Sequence, residues 1–305
     1  MCNLALTVMM FCLAQSLSFA QPENVQLVRV KTEARLQEIA NGVRGAMGIA
    51  VIDLKNGDRF GLHENMLFPQ GSAIKIPVLM EVFKQAQTGK FKLTDLRPVS
   101  GKYQVGGSGA LQFLGDGTSQ LSIRDLGVLM IVLSDNTATN MLIDLVGMEN
   151  INQTLRQLGL QQTRVQRRMI NPAASARGEE NLSTPAEAAR IMEILYQGEF
   201  INRAICDEIL DILKIPKPGS VSAALPADAD IPVAFKPGGI AGVSTEWAIV
   251  YFSERPYIVT IMENYAVENE AENAMKEISR TLYDYFWRLG RATKYGTYVE
   301  PGLRD

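Results

Sequence analysis

The sequence has one histidine and three cysteines in 305 residues. Two of the cysteines lie in the apolar first twenty residues, so the remaining chain keeps only Cys206 and has no disulfide framework. Together with the single histidine, His63, it does not supply the ligands of a zinc site. We therefore expect no metal and no cofactor. Because His63 follows a turn on a predicted strand, a surface position is favoured, and an amine or carboxylate is the expected base for any nucleophile.

The chain also lacks a strong charge of either sign. Its net charge is −3, which argues against a nucleic-acid-binding surface. With 47% hydrophobic and 21% charged residues it has an ordinary globular composition, long enough for a large core or two lobes. We expect a monomer that acts on a small molecule.

Charged side chains are missing altogether from the first twenty residues. This apolar stretch is short for a membrane span and is interrupted by Gln15 and Ser16. It ends in "SFA" before Gln21, which suits cleavage by signal peptidase. The sequence predicts a signal peptide at 1–20, cleaved near Ala20, and export to the periplasm or beyond. A retained membrane anchor is the alternative.

Hydrophobic periodicity divides the rest of the chain into helices and strands. Helices are predicted at 24–43, 73–87, 122–147 with an interruption at 134–136, 149–158, 186–196 and 268–289. Strands are predicted at 46–54, 58–62, 231–238, 246–252 and 257–263.

This order predicts an α+β fold. An antiparallel sheet is assembled from both ends of the chain, terminal helices cover it, and an all-helical lobe is inserted. We expect one domain over 21–305, with an α/β lobe at about 22–68 and 215–292 and a helical lobe at about 69–214. The two lobes would meet in a cleft.

The stretch "FPQGSAIKIPVL" places Ser72 and Lys75 three residues apart at the start of an apolar helix. In a helix the two side chains share a face and can exchange a proton. A lysine amine can then replace histidine as the base for a nucleophilic serine. An exposed serine and lysine at a helix start is the alternative for this motif alone.

Two further polar elements follow in apolar surroundings: Ser134-Asp135-Asn136 and Lys236-Pro237-Gly238. With Ser72-Ala73-Ile74-Lys75 they resemble the ordered S-x-x-K, S-D-N and K-T-G motifs of class A β-lactamases and penicillin-binding proteins. The resemblance covers roughly residues 48–289 and implies the same fold and a serine hydrolase acting on amides.

The resemblance also implies roles for the catalytic side chains. Ser72 would attack the carbonyl, and Lys75 would accept its proton if burial and the nearby Lys236 lower the pKa of the amine. Ser134 would relay a proton to the departing nitrogen. Asp135 is expected to hold its loop rather than contact substrate.

Substrate-binding roles follow from the same resemblance. Asn136 would bind a side-chain amide of the substrate. Gly238 and Gly239 would let the strand approach closely, and the N–H of Gly239 would join that of Ser72 in binding the oxyanion. Tyr103 is a candidate wall of the cleft, and an ordinary loop position is its alternative.

Two positions depart from the family pattern. Pro237 replaces a hydroxyl residue that would help to bind a substrate carboxylate, and proline has no donor. In the region of the family's E-x-x-L-N loop, an alignment from Thr163 places Met169 where the glutamate that activates the hydrolytic water belongs. Glu179 and Glu180 are expected to be surface-loop residues.

Three functions therefore stay open. The first is a β-lactamase acylated at Ser72 that deacylates slowly. The second is a D-alanyl-D-alanine peptidase acting on cell-wall peptides, for which no such glutamate is needed. The third is a sensor or binder that remains acylated.

Overall fold

The computed structural model describes residues 23–299, and the predicted signal peptide lies outside them. The helices of the described residues are α1 Glu23–Asn41, α2 Lys75–Gln87, α3 Ile123–Val132, α4 Asn136–Val146, α5 Met148–Gln157, α6 Pro172–Ala176, α7 Pro185–Gln197, α8 Arg203–Lys214, α9 Ser220–Ala223 and α10 Glu268–Arg291. The strands are β1 Ala46–Asp53, β2 Arg59–Leu62, β3 Phe68–Pro69, β4 Leu96–Pro98, β5 Gln120–Ser122, β6 Leu182–Ser183, β7 Val233–Ile240, β8 Val243–Val250 and β9 Tyr257–Asn264.

The main sheet has five strands in the order β2-β1-β9-β8-β7, and every pair is antiparallel. Strand β1 from the start of the chain therefore lies beside β9 from near its end, which confirms the predicted α+β fold. The lobe boundaries at about 68 and 215 stay a prediction.

Alternation along the strands gives the sheet two apolar faces. On β1, Ile49 and Val51 belong to the apolar cluster that α1 and α10 also supply, whereas Ala50 and Ile52 belong to the larger cluster of the inserted helices. The sheet is thus covered on both faces. Strand β7, at one edge of the sheet, contacts the turn Gly71–Ile74, which carries Ser72.

Most predicted elements are present, with local differences. Helix α8 was not predicted, although Asn202 caps its first turn by accepting the N–H of Ile205 at 3.0 Å. The serine motif begins as a 3₁₀ turn, and the α-helix starts only at Lys75. Pro77 then falls in the first turn of α2, where its missing N–H costs no hydrogen bond.

Among residues 23–299, none of the helices combines the length and apolar character that a membrane span requires.

Candidate active site

The backbone around Ser72 is fixed by a buried glutamine. Gln70 donates from Nε2 to the carbonyl of Phe68 at 2.8 Å and accepts at Oε1 from the indole N–H of Trp247 at 2.9 Å. Its own carbonyl accepts from the Thr245 hydroxyl at 2.9 Å. The turn Gly71–Ile74 that follows is a 3₁₀ turn, in which residues three apart are aligned. Ser72 and Lys75 therefore lie on the same side.

The Lys75 amine is fully buried and is held by three oxygen atoms. It donates to the Ser134 carbonyl at 2.8 Å, the Ser134 hydroxyl at 3.1 Å and Asn136 Oδ1 at 2.9 Å. A neutral amine has two N–H groups and one lone pair. In the neutral form it can keep two of these acceptors, and its lone pair is then available to accept a proton.

Ser134 occupies a strained position between α3 and α4. Its φ of 52° lies in the left-handed region, which is uncommon for a residue other than glycine and is typical of functional sites. Asp135 holds this break, as expected: its carboxylate accepts from the N–H of Ala138 at 2.8 Å and from that of Leu111 at 2.9 Å.

Lys236 reaches Ser134 from strand β7. Its amine, which is also buried, donates to the Ser134 hydroxyl at 3.2 Å and to the Pro237 carbonyl at 2.8 Å. The Ser134 oxygen is therefore shared between the amines of Lys75 and Lys236. This arrangement gives a continuous hydrogen-bonded path between the two lysines.

Burial lowers the pKa of Lys75 well below its ordinary value, and the charge of Lys236 lowers it further, while Asp135 opposes the shift. Burial also lowers the pKa of Lys236 to about 7, with a smaller contribution from Lys217 in the same direction and an opposing one from Glu246. Burial thus favours the neutral form of both amines relative to an exposed lysine, and a neutral amine can accept a proton.

Gly238 and Gly239 allow the backbone of β7 to come close to the backbone of the turn Gly71–Ile74, which carries Ser72. A Cβ on Gly238 would lie 2.3 Å from the Gln70 carbonyl oxygen and 2.6 Å from the Ala73 nitrogen. A Cβ on Gly71 would lie 2.8 Å from the Gly239 nitrogen. The N–H of Gly239 is therefore close to the turn that carries Ser72, where a second oxyanion donor would be needed.

Part of this group lines a cleft of about 580 Å³, whereas Lys75 and Asn136 are buried and are not among its lining residues. Its lining includes Ser72, Ser134, Lys236, Gly238 and Gly239.

Two singled-out residues lie elsewhere. Tyr103 lines a separate cavity with Arg97, Lys102 and Met141, and its ring lies under the Lys102 amine at 4.6 Å. Its role as a wall of the cleft stays a prediction. His63, the residue after strand β2, contacts the Met47 carbonyl through Nδ1 at 2.9 Å and does not line the cleft.

The loop between Thr163 and Thr184 presents no carboxylate at position 169. Met169 is 6% exposed and belongs to the larger apolar cluster, and its N–H donates to Asn140 Oδ1 at 2.8 Å. Glu180 is bound by the Arg167 guanidinium at 2.7 Å, and Glu179 by its loop neighbour Arg177. Both glutamates thus serve to hold the loop, as expected.

The sequence did not indicate the part played by Glu246. This residue lies opposite Pro237 in the β7–β8 register and is 1% exposed. Its carboxylate accepts the N–H groups of Ser220 at 2.7 Å and Val221 at 3.2 Å. Burial raises its pKa to about 7, although these hydrogen bonds and the charge of Lys236 act in the opposite direction. Its place opposite Pro237 follows only from the pairing of β8 with β7.

Within residues 23–299, no group of histidine, cysteine, aspartate or glutamate side chains is arranged to hold a metal ion.

Comparison with known proteins places these observations in a family. The model of a family described as "Beta-lactamase enzyme family" matches residues 31–286. Beta-lactamase L2 of Stenotrophomonas maltophilia is 28% identical over 177 residues, which are 57% of this chain and 58% of that protein. The chain therefore aligns with little more than half the length of this curated relative.

Solved structures extend the similarity over most of the fold. A β-lactamase from Sphaerobacter thermophilus superposes with a TM-score of 0.78 at 27% identity, covering 84% of this chain and 97% of that one. A mutant of PBP-A, in an acyl-enzyme complex with penicillin G, has the same fold, with a TM-score of 0.78, 24% identity and coverage of 85% and 97%. The family model spans most of the described residues, and the chain belongs to the β-lactamase enzyme family.

Proposed function

We propose that the protein is a serine hydrolase that β-lactams acylate at Ser72, that it hydrolyses the lactam amide, and that deacylation is its slow step. The observation that carries this proposal is the buried Lys75 amine, which shares the Ser134 hydroxyl with Lys236 beside the serine turn. No metal or cofactor is required by this chemistry.

Acylation begins when the Ser72 hydroxyl attacks the lactam carbonyl. The neutral Lys75 amine accepts the hydroxyl proton, because burial and Lys236 disfavour its charged form. The bond between Ser72 Oγ and the carbonyl carbon forms, and the N–H groups of Ser72 and Gly239 stabilise the oxyanion.

Collapse of this intermediate breaks the bond between the carbonyl carbon and the lactam nitrogen. The nitrogen needs a proton, which Ser134 supplies from its hydroxyl while it regains one from Lys75 at 3.1 Å. Lys236, which also donates to Ser134, keeps the hydroxyl oriented. The product is an ester on Ser72.

The two ends of the substrate would be bound by different elements. Asn136 accepts from Lys75 at Oδ1 and donates from Nδ2 to the Gly106 carbonyl at 3.0 Å, which leaves one amide N–H for the substrate's side-chain amide. The carboxylate would meet Lys236 and Ser244, which line the other end of the cleft. Thr245 is not free for this task, since its hydroxyl donates to the Gln70 carbonyl.

Deacylation lacks an evident base. Hydrolysis of the ester requires a water molecule to lose a proton, and the thioether of Met169 does not accept one at neutral pH. We therefore propose that the acyl-enzyme accumulates.

Intact-protein mass spectrometry and penicillin hydrolysis, followed together over time, test the proposal. We expect a covalent adduct that forms faster than penicillin is turned over, and no adduct with Ser72→Ala. The exposed Ser253 provides the control substitution Ser253→Ala, which should leave the adduct unchanged. An adduct that persists in Ser72→Ala would show that another nucleophile is acylated.

The buried Met169 specifically favours a second candidate, a D-alanyl-D-alanine peptidase. Release of D-alanine from a D-alanyl-D-alanine peptide, faster than turnover of any penicillin, would support this function over the lactamase. A stable adduct with neither activity would support the third function, a sensor or binder.

We also propose that the protein is exported and acts as a monomer. The support for export is the uncharged apolar stretch at 1–20 and its small residues before Gln21. Mass measurement of the mature N-terminus and light scattering would test the two proposals.

A further inference from the structure

A second cavity, of about 390 Å³, shares none of its lining residues with the cleft that Ser72 lines. Its walls come from strand β4, from the turn Gly101–Tyr103, and from helices α3 and α4. The volume is within the range of small-molecule binding sites. The chemistry of the walls therefore decides what kind of molecule this cavity can hold.

The helices give the cavity an apolar surface. Leu126 comes from α3, and Met141, Leu142 and Leu145 come from α4. Leu126, Met141 and Leu142 are buried members of the larger apolar cluster, and Leu145 packs against it. Because this surface belongs to the packed interior, a group that lies against it gains free energy only if that group is apolar.

The rest of the lining includes two cations, Arg97 and Lys102. Arg97 Nε is buried and has no hydrogen-bond partner in the described part of the chain. Such a donor costs free energy, and in a folded protein it calls for an explanation. The carboxylate of the lining, Asp144, is paired with Arg168 of the loop between Thr163 and Thr184. The cavity therefore combines an apolar surface with positive charge.

We propose that this cavity is a binding site for a small amphipathic anion, a carboxylate carried on an apolar chain. The carboxylate binds the Arg97 guanidinium, whose N–H groups suit the two oxygens of a carboxylate, and the nearby Lys102 amine adds a second positive charge. The apolar chain lies against Leu126, Met141 and Leu142. The proposal does not depend on acylation in the cleft, because the two sites have no lining residue in common.

Isothermal titration calorimetry with decanoate as the probe tests this proposal. Decyltrimethylammonium has the same chain and the opposite charge, and acetate has the charge without the chain. We expect decanoate to bind at one site per protein chain, and neither of the other two probes to bind there. Octanoate has two methylene groups fewer, so it should bind about tenfold more weakly than decanoate.

Two substitutions locate the site. Arg97→Met and Lys102→Met each remove a positive charge and keep an unbranched side chain. Each should weaken decanoate binding by about tenfold, the effect of losing one charge-assisted hydrogen bond. Arg124→Met is the matched control, since Arg124 is exposed on α3 and does not line the cavity. It should bind decanoate with the affinity of the wild type.

The absence of decanoate binding to the wild type would overturn the proposal, as would equal binding of decyltrimethylammonium. Wild-type affinity in both Arg97→Met and Lys102→Met, with normal melting temperatures, would also overturn it, because decanoate would then bind elsewhere. If one of these variants does not fold, the other decides. The adduct on Ser72 tests the proposed function separately, so failure of one proposal leaves the other intact.

Discussion

Two regions of the molecule, the surroundings of Ser134 and the loop between Thr163 and Thr184, differ in how they use buried charge. Around Ser134 the chain keeps two lysine amines and an aspartate almost wholly out of water, each held by hydrogen bonds. In the loop between Thr163 and Thr184, the central position carries the buried Met169, and the two glutamates are bound to arginines. Groups that can move protons are thus concentrated on the side that would form the acyl-enzyme.

This difference is informative because buried charges are costly. Removing an ion from water costs several kcal/mol unless partners compensate. A fold that needed only stability could replace Lys75 and Lys236 with apolar side chains. The two buried lysines and the apolar residue at 169 are what the proposed fast acylation and slow deacylation require.

The largest effect is expected from removing the base at position 75. Lys75→Arg keeps a positive charge that is not lost at accessible pH, and Lys75→Met removes the charge without a bulkier group. Acylation should fall by about 10²–10⁴ in both, the usual range for general-base losses. Lys84→Arg, on the same helix, is the matched control and should acylate normally. Near-normal acylation in both position-75 variants would exclude the role, and melting temperatures will show that each variant is folded.

A smaller effect, an increase in a rate rather than a decrease, is expected from placing a carboxylate at position 169. Met169→Glu introduces a group whose pKa burial should raise toward neutrality, where a general base works best. Deacylation should accelerate by at least about tenfold, less than the 10²–10⁴ of an optimised base. Met169→Gln has the same shape and no base. Equal deacylation rates in the two variants, measured by loss of the adduct mass, would contradict this expectation.

The smallest effect on acylation is expected at Glu246. Its charge raises the pKa of Lys236, which is about 7, so Glu246→Gln should lower that pKa further. Lys236 then loses its proton at a lower pH. If substrate binding needs that cation, acylation rates measured between pH 5 and 9 should fall at a lower pH in the variant. Superimposable profiles would show that Glu246 does not influence Lys236.

Stability provides a second readout for the same variant. The pKa of Glu246 is raised from 4.5 to about 7, so the protonated carboxyl is favoured in the folded state. The contribution of this carboxyl group to the free energy of unfolding is fully present below pH 4.5 and is lost as the pH rises through about 7. The wild type should lose roughly 3 kcal/mol relative to Glu246→Gln over this range. Urea unfolding at pH 5 and 8 measures the difference.

The sequence predicted those features that depend on local pattern. Hydrophobic periodicity indicated the strands of the sheet, and the apolar stretch after Ser72 indicated the helix that begins at Lys75. The lowered pKa of Lys75 was also expected, because its causes, burial and Lys236, follow from an apolar helix and a second motif.

Features that depend on how distant segments meet were not predicted. Glu246 acquires its place from the register of β8 against β7. Gln70 was also missed, since nothing near it in the sequence shows that Trp247 and Thr245 will bind it. Tertiary contacts, rather than local propensity, decide these positions.

The close approach of Gly71 to Gly239 has a consequence for how the protein matures. The proposed nucleophile Ser72 and the proposed oxyanion donor Gly239 are separated by more than half the chain, and β1 lies beside β9, so both depend on pairings of high contact order. Such pairings form late and slowly. A chain interrupted before β7 would carry Ser72 and Lys75 but no reactive centre. If Ser72 is acylated as proposed, covalent labelling by a penicillin would require completed folding, and its time course during refolding would measure when the sheet finishes forming.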